Sequence, residues 1–147
     1  MASRQTLDEL RAAVRGKGLR ATPSRLAVYE LLRATDAPMS HGDVADRLAN
    51  QAWDRATIYR NLTDLAEAGL LRRTDVGDHV WRFEPVTEEH AGAAHPHFVC
   101  TECNTVQCLP EIELAFSTAR TRSAKPPRAV KQRQVEVHVR GLCDACA

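Results

Sequence analysis

The chain has 147 residues, 44% hydrophobic and 27% charged, with a formal net charge of +1, a composition that fits one globular domain or two small ones. No apolar run approaches the roughly 18 residues of a membrane span, and the polar start Met1-Ala2-Ser3-Arg4 lacks the core of a secretory signal, so a cytoplasmic protein with no membrane partner is expected. Near-neutral charge and 5% aromatics exclude a globally basic nucleic-acid coat and a stacking surface for single strands, so any DNA binding must come from a local patch.

In chain order, Leu7, Leu10, Ala13 and Val14 form one face of a short helix over residues 7–15, which Gly16 and Gly18 break inside the basic loop Arg15–Arg20. Thr22-Pro23 starts a second helix, with Thr as cap and Pro at the first helical position. Leu26, Val28, Leu31 and Leu32 carry it to about Thr35. Ser40 with Asp43 three positions on opens a third, and Val44, Ala45 and Leu48 give it an apolar side. Asp54 caps a fourth, where Ile58, Leu62, Leu65 and Ala66 recur at helical spacing until Gly69. Residues 70–74 and 79–83 read as two strands around Asp75-Val76-Gly77-Asp78. Helices followed by a hairpin make a winged helix-turn-helix.

Pro85 to Ala94 is small and acidic, the composition of a hinge. Beyond it, Phe98-Val99 and Val106 to Leu109 are short apolar runs. A helix is expected from Pro110 to about Ala124, burying Ile112, Leu114 and Phe116. After the loop Lys125–Arg128, Val135, Val137 and Val139 alternate as a half-buried strand that points His138 to solvent.

The helix capped by Asp54 presents Arg55, Thr57, Tyr59 and Arg60 on its polar side, while Ile58, Leu62 and Leu65 face inward. A recognition helix needs this division, because the apolar stripe docks it and the first polar residues reach bases or phosphates. Arg15, Lys17 and Arg20, with Arg72 and Arg73 in the wing, supply local positive charge. Double-stranded DNA is the expected partner; a protein-binding winged helix is the alternative.

All five cysteines follow residue 99, and four form two Cys-x-x-Cys pairs, Cys100/Cys103 and Cys143/Cys146. Disulfides are disfavoured in a reducing cytosol, so the pairs point to zinc or to redox chemistry. Two bidentate thiolate clips match tetrahedral zinc with no open position, a staple for a small module. His95 and His97, two apart in an extended segment, share a face and can reach one metal. Glu84, Glu88, Glu89, His90 and Cys108 are candidates to complete its sphere. Cys108 has two readings, since it shares a face with Val106: a buried core thiol, or a ligand. No Ser/His/Asp order, phosphate-binding glycine loop or paired carboxylates support catalysis, so the chain is not expected to be an enzyme. Two rivals remain, a zinc-dependent enzyme with an open metal position and a dithiol oxidoreductase with a perturbed thiol.

The chain resembles the ferric uptake regulator (Fur) superfamily over nearly its whole length. Gly18-Leu19-Arg20-Ala21-Thr22-Pro23-Ser24-Arg25, Ala56-Thr57-Ile58-Tyr59-Arg60-Asn61-Leu62 and Gly69-Leu70-Leu71 carry the resemblance in the first half. His95-x-His97-Phe98-Val99-Cys100-x-x-Cys103 and Gly141-Leu142-Cys143-x-x-Cys146 carry it in the second. The resemblance implies an α+β chain: a winged helix-turn-helix over residues 1–83, a hinge over 84–94, and a small α/β dimerisation domain over 95–147. It also implies a metal-loaded homodimer that represses genes from a palindromic operator.

Residue by residue, the resemblance assigns structural zinc to Cys100, Cys103, Cys143 and Cys146, and a regulatory metal to Glu84, His95 and His97. Cys108 stands where the family has a carboxylate, five residues after Cys103. Pro38 stands where the first half often supplies a histidine; His41, three residues on, and the hinge residues Glu89 and His90 are substitutes. A further family site is expected to be absent, because its positions hold Ala94, Pro96 and Gln134. Thiolate with imidazoles suits zinc better than iron or manganese, which favour carboxylate. The expected function is zinc-responsive repression of uptake genes, with iron-responsive or peroxide-sensing regulation as the alternative.

Overall fold

The computed structural model describes residues 6–87, 95–109, 112–113, 115, 126–132 and 135–147. The chain divides into two units, Met1–Val86 and Thr87–Ala147. The observed class is α+β, as expected.

In the first unit the helices are α1 (Leu7–Gly16), α2 (Pro23–Arg33), α3 (His41–Arg47) and α4 (Arg55–Glu67), with strands β1 (Met39–Ser40), β2 (Leu71–Asp75) and β3 (Trp81–Pro85). Each helix start is written in the sequence. Thr6 and Ser40 form reciprocal capping boxes with Glu9 and Asp43, and Thr22 and Asp54 accept from the N–H groups of Arg25 and Thr57. Gly18 and Gly69 both hold φ of +79°, which lets α1 and α4 end in the same motif. The N–H groups of Leu19 and Leu70 reach back to the carbonyls of Val14 and Leu65 at 3.2 and 3.0 Å.

Leu10, Val14, Leu26, Val28, Leu32, Ile58, Leu62, Leu65, Leu71 and Phe83 are all buried in one apolar cluster of this unit. Beneath α4, Asn61 donates from Nδ2 to Ser24 Oγ at 3.0 Å, so the buried polar pair is satisfied.

The sheet of the first unit has order β1-β3-β2 and is antiparallel. Three features depart from expectation. β1 adds a two-residue strand, Met39 opposite Phe83, too short for any periodicity to signal. β3 begins at Trp81 rather than His79, because Asp75 Oδ1 accepts the N–H groups of Gly77 and His79 and holds a wider turn. The strand also continues through Glu84 and Pro85, opposite Arg72 and Leu71, so these two residues are strand rather than hinge.

In the second unit β4 (His97–Cys100) lies between β5 (Val106–Cys108), antiparallel to it, and β6 (His138–Gly141), parallel to it. The expected helix at Pro110–Ala124 lies almost wholly outside the described residues; residues 112, 113 and 115 are not helical, and Ile112 is exposed rather than buried. A short helix, α5 (Arg128–Lys131), begins where a loop was expected. The last strand is shifted. It starts at His138, and its pairing sets His138 opposite His97 and Val139 opposite Phe98. Val139 is therefore exposed and His138 half-buried, the reverse of the valine alternation. Gly141 closes the strand under the Phe98 ring, where an added Cβ would sit 3.4 Å from the ring edge.

Candidate metal centre

Parallel pairing brings the two Cys-x-x-Cys segments together. β4 and β6 end in register, Cys100 opposite Gly141, and each strand runs into a tight turn at the same end of the sheet. In the first turn Asn104 takes φ of +57°, an uncommon conformation that Asn tolerates, and its N–H returns to the Cys100 carbonyl at 3.1 Å. In the second, Cys146 N–H reaches the Cys143 carbonyl at 2.9 Å. The N–H of Thr101 donates to the Gly141 carbonyl at 2.9 Å and ties the turns together.

As a result the sulfurs of Cys100, Cys103, Cys143 and Cys146 all lie within 4.8 Å of one another. Cys103 and Cys143 Sγ are 3.8 Å apart, and Cys143 N–H points at Cys100 Sγ at 3.4 Å. The N–H groups of Cys103 and then Cys143 pull the Cys100 thiol down to about 6, and the Thr105 hydroxyl and N–H lower Cys103. Cys146 moves the other way, to about 12, because it lies beside the Cys143 and Cys103 thiols and is shielded from water. Four thiolates this close repel one another unless a cation neutralises them. The donor set fits tetrahedral zinc: four soft sulfurs, with N–H groups aimed at them.

The same sheet builds a second donor cluster. His95 and His97 share a face of the extended chain, and Cys108 lies directly across from His97 in β5. Their ligand atoms lie within 4.8 Å of one another, both imidazoles are buried and the rings are 4.7 Å apart. Two imidazoles and a thiol fit a borderline-soft divalent metal.

Glu84 sits in β3 of the first unit, only 3% exposed, and accepts from Arg72 Nε at 3.0 Å. Glu88, Glu89 and His90 lie outside the described residues. His41 donates from Nε2 to the Arg55 carbonyl at 2.8 Å.

Sequence reasoning pointed His138 to solvent, whereas it is half-buried with its ring 6.2 Å from that of His97. The flanking valines suggested the wrong phase; strand pairing, which the sequence does not display, set it. It also missed Arg72 as the partner of Glu84. A basic residue facing a carboxylate across a predicted hairpin was the available signal, once the register was known.

The residues expected to meet DNA are exposed or half-buried. Arg15, Lys17 and Arg20 lie at the end of α1 and in the loop that follows, and Arg55, Tyr59 and Arg60 project from the first turns of α4. Thr57 is half-buried, with its N–H on Asp54 Oδ1 at 2.7 Å. Arg55 is held by Asp46 of α3 at 2.9 Å.

A family model described as the ferric uptake regulator family matches residues 16–138. The ferric uptake regulation protein of Cupriavidus metallidurans is 33% identical over 99 residues, 65% of this chain and 66% of that one, so the match spans just under two thirds of the relative. The zinc uptake regulation protein of Escherichia coli is 30% identical over 136 residues, 88% of this chain and 74% of the relative. Among solved structures, the ferric uptake regulator of Vibrio cholerae superposes with a TM-score of 0.66 at 22% identity, covering 90% of this chain and 98% of that one.

Proposed function

Since this chain belongs to the ferric uptake regulator family, whose members are transcriptional regulators rather than enzymes, we propose that it is a zinc-responsive repressor of metal-uptake genes. It acts as a homodimer on a palindromic DNA operator. The observation that carries this reading is the pair of donor clusters on one small sheet, one of four sulfurs and one of His95, His97 and Cys108. The all-sulfur set holds structural zinc. The mixed set holds the regulatory ion, and its thiol favours zinc over iron or manganese. The relatives named for iron and for zinc leave either metal within the family's range.

Bound there, an ion would supply charge neutralisation and a cross-link between its donors. The chain's own residues do the rest. Cys100, Cys103, Cys143 and Cys146 clamp the ends of β4 and β6. His95, His97 and Cys108 would hold the regulatory ion. Half-site spacing in a dimer is a geometric requirement of operator binding, and the ion would bias the dimer toward the competent spacing. Strong switching requires the metal to favour the competent state by about 5.5 kcal/mol. Arg15, Lys17 and Arg20 meet phosphates, while Arg55, Thr57, Tyr59 and Arg60 enter the major groove.

The test is binding of a duplex, selected from random sequence by the zinc-loaded protein, as metal-free protein is titrated separately with zinc, ferrous iron and manganese. Zinc restoring tight binding at the lowest free concentration supports the reading. Restoration by iron alone, or loss of binding on peroxide treatment of the iron form, replaces it with the iron-responsive or peroxide-sensing alternative.

A further inference from the structure

His41 is the first residue of α3, and its side chain crosses to α4. Its Nε2 lies 2.8 Å from the Arg55 carbonyl oxygen. A carbonyl only accepts, so Nε2 carries the proton. The imidazole also meets the Tyr59 ring edge-on, with centroids 5.4 Å apart and planes at 75°, a favourable aromatic arrangement. Tyr59 is 49% exposed, so part of its ring meets His41 and the rest faces solvent. Arg55, held by Asp46, adds a second tie between α3 and the start of α4.

An exposed tyrosine on a helix surface ordinarily samples several rotamers, and ordering it on binding costs conformational entropy. The geometry points to His41 as a positioning residue for DNA recognition: it fixes the first turn of α4 through the Arg55 carbonyl and holds the Tyr59 ring in one orientation before DNA arrives. This inference rests on the reading of α4 as the recognition helix. It gives His41 a role other than metal ligation, in which Nε2 is already committed to a backbone acceptor.

The experiment compares His41→Ala, His41→Gln, Tyr59→Ala and the double variant His41→Ala/Tyr59→Ala in the zinc-loaded protein. Each is assayed on the selected duplex and on a scrambled one, with zinc content measured alongside. His41→Ala is expected to weaken the selected duplex about tenfold, the scale of one misplaced base contact, with the scrambled duplex and the zinc content unchanged. His41→Gln keeps an N–H donor for the Arg55 carbonyl and should recover part of the loss. If His41 acts through Tyr59, its removal should add little in the Tyr59→Ala background. Full affinity in His41→Ala, fully additive losses, or loss of a zinc equivalent would overturn the inference, the last by making His41 a ligand. Unchanged binding in Tyr59→Ala would instead overturn the reading of α4 on which it rests.

Discussion

The two units differ in what their described residues bury. The first encloses an apolar cluster from Leu10 to Phe83, drawn from four helices and the wing. Among the described residues of the second, the buried apolar side chains are Val99, Cys100 and Val106, and two buried imidazoles, His95 and His97, stand beside them. With few apolar side chains buried among these residues, a bound ion would be a further source of stability. Beside them stand the candidate metal donors of the two clusters. On the proposed reading, the first unit folds by excluding water and the second would fold together with a bound ion.

The sharpest way to break this contrast is at the sulfurs. Cys143→Ser, or strong chelation, is expected to abolish amide protection in β4 and β6 while α2 and α4 stay protected. Structural zinc contributes on the order of 10 kcal/mol or more to small folds at neutral pH. A variant that keeps its protected sheet and full zinc content would remove the distinction between the units. The proton inventory gives a second reading of the same site. With Cys100 at about 6 and Cys146 at about 12, the metal-free cluster at neutral pH still carries a proton that zinc must expel. Apparent zinc affinity should therefore rise with pH, and a flat profile between pH 6 and 8 would contradict four-thiolate binding.

In the first unit the corresponding blow is a cavity. Leu62→Ala, at a fully buried position of α4, should lower stability by about 2–5 kcal/mol with zinc content unchanged. Zinc loss from this variant, read by metal analysis, would mean that the units do not differ as argued.

Cys108 sharpens the comparison within the second unit. As a ligand, Cys108→Ser should weaken the second zinc equivalent by about tenfold or more and leave the melting temperature of the metal-free form in place. A lower melting temperature with unchanged zinc affinity would class it with Val106 as core. The smallest expected effect is local: Thr22→Ala removes the cap of α2 and should cost about 1 kcal/mol, seen in denaturant midpoints. No cost at all would show that Pro23 alone suffices to start the helix.

Much of the first unit was legible because its signals are local. Thr22, Ser40 and Asp54 each accept from an N–H three residues on, and Gly18 and Gly69 each supply the one positive φ that ends a helix. Such contacts depend on neighbours a few residues away, so sequence spacing displays them. The grouping of the four paired cysteines was legible too, because tetrahedral thiolate binding by two short clips has few alternatives.

What the sequence did not display depends on contacts between distant segments. Val135, Val137 and Val139 alternate, yet parallel pairing with β4 sets His138 toward His97 and leaves Val139 exposed. β1 has only two residues and exists because Phe83 and Arg82 offer an edge to Met39 and Ser40. Arg72 and Glu84 meet because the β2–β3 register places them opposite each other, and His41 reaches Tyr59 only because α3 packs on α4. Residue types and local spacing thus determined the helix starts and apolar faces of the first unit and named the candidate metal donors. Strand register and helix packing, set by contacts between segments far apart in the chain, decided which donors share a face and which polar residues hold one another in place.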